Sequence, residues 1–323
     1  MHEPTYTKAL KASWDLTWRH KTLWVFGLSA ALVGQLGLMD LLAKIGLATR
    51  ASTTILFWIG LPRAFVHTVR GTGGHLSPEQ WGLVLWSIVI IVAIFAFLAF
   101  IATVSQGALV HASAQSFKLT RGVPNLGASW HVGVGHFWRL FFLNLIKKII
   151  FGLIALLIAC LSLRALYDFN VWDRLSFVVM FLLAVFAGMV LSFLLIYTAG
   201  YIVVENYSLP EAIVSAWKLF LDHAVVSLEV GVIVLCLNIL VAIACVLAMY
   251  VFFLPSLIAG LIAFVVNSQL LFVLGLLVGV LLFLVFIILL GAMFSTFTTS
   301  LWTYLFMKMH RQGITSRMLH WLK

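Results

Sequence analysis

The chain has 323 residues, 63% of them hydrophobic and only 9% charged, with a formal net charge of +10. Soluble domains carry about 25% charged residues, so this composition excludes a water-dissolved globule and calls for lipid as the main solvent. The basic excess reads as cytoplasmic loops beside anionic lipid rather than a nucleic-acid footprint, and three cysteines set in apolar runs (Cys160, Cys236, Cys245) exclude a disulfide framework.

Taken in order, six apolar runs near the ~20 residues of a bilayer crossing predict spanning helices at 22–39, 81–104, 149–166, 175–203, 224–253 and 269–294. The first is diluted by Gly27, Gly34, Gln35 and Gly37. Basic residues, this run and Ser29-Ala30-Ala31 imitate a secretory signal, but residues 9–24 recur twice inside the chain, so the segment is read as retained. Residues 40–80 hold an apolar stretch from Thr53 to Trp58 and a Gly71-Thr72-Gly73-Gly74 turn, the pattern of an interfacial or re-entrant segment. Ser77-Pro78-Glu79-Gln80 then reads as a helix start, with Ser at the cap and Pro at the first position.

Lys147 and Lys148 interrupt the third run, but their stems can snorkel, so that helix is expected to begin near His136. Residues 255–267 are apolar, uncharged and too short to cross; they read as a dip into the outer leaflet. No proline interrupts Pro78 to Lys118 or Gln269 to Lys308 after the first residue. Each stretch would be about 60 Å of helix against a core of about 30 Å. Tilt, a break near Gly291, or projection into the cytoplasm must absorb the excess.

The chain three times writes a Trp six residues before a His: Trp14 and His20, Trp130 and His136, Trp217 and His223. With 12 Trp and 10 His, chance supplies about 0.4 such pairs, so an internal repeat is the better account. Leu10, Leu126 and Ile213 stand four before each Trp, and Pro124 and Pro210 precede the later copies. Each unit reads as an amphipathic cytoplasmic helix, an elbow at the histidine, and a transmembrane hairpin. The fold class is therefore an all-α polytopic membrane protein, one transmembrane domain over 1–323, with pseudo-repeats 1–120, 121–207 and 208–310 and a cytoplasmic tail at 311–323. Lys and Arg number 14 on the side carrying the termini and 6 on the other, which places both termini in the cytoplasm.

Few residues carry chemistry. Six helical positions amount to about 600°, so Trp and His of one elbow do not share a face unless the chain bends between them. Trp then anchors at the headgroups, and His20, His136 and His223 either stay apart at the interface or converge as a three-histidine metal set. Glu229 is an acid inside a predicted span, with Lys147 and Lys148 as candidate partners in an intramembrane ion pair. The run Ser295-Thr296-Phe297-Thr298-Thr299-Ser300 either bonds back to its own helix or lines a cavity. Gly275 with Gly279, and Ala184 with Gly188, mark close helix packing within or between chains. No HExxH, P-loop or GxSxG motif is present, and no span holds two carboxylates; catalytic, metal and cofactor sites are therefore not assigned.

The elbow segments ALKASWDLTWRHKTLW, NLGASWHVGVGHFWRL and SLPEAIVSAWKLFLDH, with ENYSLPEAI at Glu205 to Ile213, resemble those of bacterial six-helix membrane proteins similar to the glycerophosphodiester phosphodiesterase membrane-domain-like family. That resemblance implies hairpins alternating with cytoplasmic amphipathic helices. It implies no phosphodiesterase activity, because the catalytic domain of the family's namesakes has no counterpart here. The expected function is a non-catalytic protein of the bacterial inner membrane, holding anionic lipid or scaffolding a protein partner or second copy through its basic elbows. The alternative is a transporter or permease component with a polar path near Glu229 and the 295–300 stripe.

The topology is testable with single cysteines at Tyr6, Thr72 and Gln312 and an impermeant thiol reagent on intact cells. Only Thr72→Cys is expected to label from outside; external labelling of Tyr6→Cys or Gln312→Cys overturns the orientation.

Overall fold

A computed structural model describes residues 5–31, 78–118, 125–167 and 171–312. Among the described residues the secondary structure is helical throughout: α1 Thr5–Arg19, α2 Leu23–Ala31, α3 Pro78–Lys118, α4 Leu126–Gly135, α5 Phe137–Tyr167, α6 Val171–Val204, α7 Leu209–Asp222, α8 Ala224–Val266 and α9 Gln269–Gln312. Five of them are long and apolar enough to cross a membrane: α3, α5, α6, α8 and α9. They contain the last five expected spans. The first, 22–39, is helical over Leu23–Ala31, about 14 Å, and the rest of it lies outside the described residues. So do Ser77, Pro124 and most of the 40–80 linker.

Three local expectations meet the structure directly. The third spanning helix begins at Phe137, one residue after His136. The dip at 255–267 is not formed: α8 runs through Pro255 to Val266 and ends at Asn267, whose φ of 53° turns the chain. Hydrocarbon offers a non-helical backbone no partners, so continuing the helix past one missing N–H costs less than exposing a loop. Ser256 beside the proline donates to Gly275 O at 2.7 Å, and Ser268 N–H returns to Ala263 O at 2.9 Å. Nor does α9 break at Gly291; its 44 residues form one helix of about 66 Å.

Between helices in lipid the hydrophobic drive is weak, and small residues decide where backbones meet. Gly275 and Gly279 face Ala259 and Ser256, so this small pair packs α9 on α8 within the chain. A Cβ on Gly27 would fall on Thr296 and Ala292 O, which makes glycine the condition for α2 lying on α9. Likewise Gly133 of α4 sits against Val104 O of α3. Ala184 is buried with Phe151 and Ile158 where α5 meets α6.

The buried core lies at the elbow end of the long helices. It holds Val104 and Leu109 of α3, Leu140 of α5, Tyr197 and Ile202 of α6, and Leu301 and Phe306 of α9. At the other end the same helices carry exposed apolar side chains, such as Leu85, Phe95, Leu183, Leu247 and Leu281, as a lipid-facing surface must.

Glycine substitutions test this packing by thermal unfolding in detergent. Gly133→Ala is expected to cost about 1–3 kcal/mol by overpacking against backbone. Gly291→Ala, with no heavy atom within 4 Å of the added carbon, should be neutral or stabilising by up to about 1 kcal/mol. Equal effects at the two sites would refute the α3–α4 contact.

Candidate functional site

The helix breaks at all three elbow histidines, over His20 to Thr22 at the first and over the histidine alone at the other two. The N–H of His20, His136 and His223 returns to Leu16 O, Val132 O and Leu219 O at 3.1 Å in every case, closing the incoming helix. The carbonyls of the same residues then accept from Leu23 (2.9 Å), Leu140 (3.1 Å) and Ser227 (3.0 Å), opening the next one. Each histidine is thus a hinge whose donor belongs to one helix and whose acceptor belongs to the next.

The side chains differ between the elbows. Trp14 and Trp217 are 49% and 46% exposed, as interfacial anchors are. Trp130 is instead half-buried, stacked on Phe26 of α2 at 6.2 Å. His136 has Val132 O 2.8 Å from Nδ1 and Asn206 Oδ1 3.1 Å from Nε2. Arg139 donates to Asn206 Oδ1 (2.7 Å) and Tyr207 O (3.2 Å), so the second elbow is tied to the turn after α6, where Asn206 has a φ of 58°. The convergence of the three histidines on a metal is not formed: among the described residues no three His, Cys, Asp or Glu are grouped to hold one. At the head of α7 the Glu211 carboxylate accepts from Ser208 Oγ (2.7 Å) and Ser208 N–H (3.1 Å), which hold it below the usual carboxylate range.

Inside the bundle, four of the long apolar helices meet around a largely apolar cleft that carries several polar side chains. α3 contributes Gln106, α5 Asn144 and Lys147, α6 Ser192, and α9 Thr298, Thr299 and Thr303. Leu143, Ile196, Trp302 and Phe306 are among the apolar parts of the wall. The cleft measures about 720 Å³ including its open mouth, with room inside for a few waters.

The hydrogen bonds give the walls different characters. Ser192 donates to Gly188 O (2.7 Å), Thr298 to Phe294 O, Thr299 to Ser295 O and Thr303 to Thr299 O (2.8 Å each). Each of these four hydroxyls thus donates its one proton to a carbonyl of its own helix. Asn144 Nδ2 donates to Gln106 Oε1 at 2.8 Å, joining α5 to α3 at the cleft wall.

The structure therefore sorts the expected site residues. Lys147 is half-buried on the cleft wall, whereas the adjacent Lys148 is exposed. Glu229 is half-buried on α8 and is not part of the cleft lining. The 295–300 stripe divides over three faces: Thr296 reaches Leu23 O of α2 (3.3 Å), Ser300 pairs with Ser113 of α3 (3.0 Å), and Thr298 with Thr299 line the cleft. Both readings of the stripe hold together, since hydroxyls that bond back to their helix also form the wall. The Gln106–Asn144 pair was missed because the apolar runs were ended at 104 and begun at 149. Its signal was present: proline-free helix continues past Gln106, and Asn144 lies one turn before Lys147 on the same face.

No protein-family model, curated protein or solved structure matches the chain.

The amide pair gives a sharp test by thermal unfolding. Gln106→Leu or Asn144→Leu alone leaves a partly buried amide without its partner and should cost about 1–3 kcal/mol. The double variant removes both groups and should cost less than the sum of the singles. Additive singles would show that the two amides act independently.

Proposed function

We propose that this multi-pass membrane protein is a transporter or permease component that accepts a polar ligand in the four-helix cleft. The observation that carries the reading is the convergence of polar side chains from four apolar spanning helices on one cavity. A polar group in hydrocarbon is expensive, and polar groups gathered from separate helices commonly mark a substrate or ion path. Glu229 and its pairing with Lys147 or Lys148 belong to this proposal as a second charged element beside the path. In this reading the protein binds and passes a solute, and transforms none.

The elbows supply a companion role. Exposed Trp14, Trp18 and Trp217 on amphipathic helices suit anchoring among anionic headgroups, with Lys8, Lys11 and Lys218 exposed on the same helices. The finer architecture proposed with it has three parallel units, 1–120, 121–207 and 208–310, about an axis along the membrane normal, both termini cytoplasmic in a bacterial inner membrane. The likeness to the glycerophosphodiester phosphodiesterase membrane-domain-like family is proposed for the arrangement of helices alone. It rests on the elbow segments, and the shared hinge geometry at three histidines supports it.

A wet cleft separates this reading from a solid, lipid-sealed bundle. With Cys160, Cys236 and Cys245 replaced by alanine, Thr299→Cys and Ser192→Cys should react with a small hydrophilic thiol reagent in native vesicles. Leu281→Cys, on the lipid-facing stretch of α9, should not. Inert cysteines at both cleft positions would remove the transport reading.

A further inference from the structure

The turn between α6 and α7 is held by side chains of the second elbow. Glu205 and Tyr207 both donate their N–H to Tyr201 O at 3.2 Å, and Asn206 between them has a φ of 58°, a left-handed conformation that asparagine tolerates. Two elbow nitrogens meet Asn206 Oδ1: Arg139 Nη1 at 2.7 Å and His136 Nε2 at 3.1 Å. On the far side of the His136 ring, Nδ1 stands 2.8 Å from Val132 O. A main-chain carbonyl can only accept. Asn206 also presents its oxygen, because turning the amide over would set its NH2 group against the Arg139 guanidinium, donor to donor. Both ring nitrogens of His136 therefore face acceptors. A neutral imidazole has one N–H and satisfies one of them; an imidazolium has two and satisfies both.

We propose that His136 is a proton-operated latch between the second elbow and the α6–α7 turn. Protonated, it bonds Val132 O and Asn206 Oδ1 together; neutral, it lets go of one of them, and Arg139 is left as the tie to the turn. Histidine changes charge between about pH 5 and 8, so the latch closes with mild acid. Among the described residues, the charged and titratable groups around it come from several elements. Arg139 is on its own helix, and His111 of α3, with Lys118 beyond it, lies within electrostatic reach of His136. Glu211 of α7 lies within reach of Arg139. Glu205 of α6 is 4.0 Å from His310 Nε2 of α9, whose Nδ1 is 3.3 Å from Tyr201 Oη, and this second histidine on the same turn is the rival site for a response to acid. The latch joins α5 to the end of α6, and both helices also wall the cleft. It needs no ligand there, and it stands or falls apart from the transport reading.

The experiment uses the full chain in maltoside micelles, with Cys160, Cys236 and Cys245 replaced by alanine. Nitroxides are attached through Val134→Cys on α4 and Lys218→Cys on α7, both exposed positions. Pulsed electron resonance then gives the distribution of distances between them at about pH 5.5 and about pH 8, towards the two ends of the histidine range. The otherwise unaltered chain should give a narrow distribution in acid and a broader one at the higher pH. His136→Gln keeps an amide that can donate but takes up no proton, so it should give one distribution at both values. Asn206→Asp offers a carboxylate to both Arg139 and the imidazolium, so it should stay narrow at both values. This variant carries the test if His136→Gln does not fold. His310→Gln should respond as the unaltered chain does. Four results overturn the latch: no difference between the two pH values in the unaltered chain, a response that survives His136→Gln, a full response in Asn206→Asp, or a response abolished by His310→Gln, which would assign the proton to the Glu205 pair.

Discussion

Hydrocarbon offers the backbone no hydrogen-bond partners, and most of this structure follows from that constraint. It keeps α8 helical through Pro255 and α9 helical past Gly291, where in water a proline or glycine would invite a turn. It also confines breaks to places where the donors and acceptors of a helix end are otherwise satisfied. His136 and His223 meet that condition as single residues, and the first elbow meets it over His20 to Thr22. The N–H of each histidine completes the last turn of one helix, and its carbonyl accepts the first hydrogen bond of the next.

The same solvent makes contact between helices depend on shape. Apolar side chains gain little by leaving lipid for protein, so close approach is obtained where side chains are smallest. Gly27, Gly133, Gly275 and Gly279 each stand where another helix's atoms would collide with a Cβ. Hydroxyls serve the same end. Thr296 shares its one hydroxyl proton between Ala292 O within α9 and Leu23 O of α2, so a residue near the cleft's own threonines instead helps fasten a neighbouring helix.

Where four helices meet without filling the space between them, polar side chains collect. The cleft is stable because its polar groups are nearly self-sufficient: the hydroxyls are paired with helix carbonyls, and Asn144 is paired with Gln106.

The order and limits of the helices were largely legible, because helix length in lipid is written as uninterrupted apolar residues and helix breaks as a repeated Trp-to-His spacing. The sequence alone determined five of the spans, the position of all three elbows and the extension of α3 and α9 well beyond a bilayer's thickness. It could not determine which polar residues meet. Lys147 and Lys148 are adjacent and chemically identical, yet a 100° step around α5 turns one to the cleft and the other outward. Thr296, Thr298 and Ser300 are likewise sorted onto three different neighbours by the rotation of α9. Helical rotation against partners distant in sequence is set by glycine contacts such as Gly27 on α9, and only the tertiary structure brings those partners together.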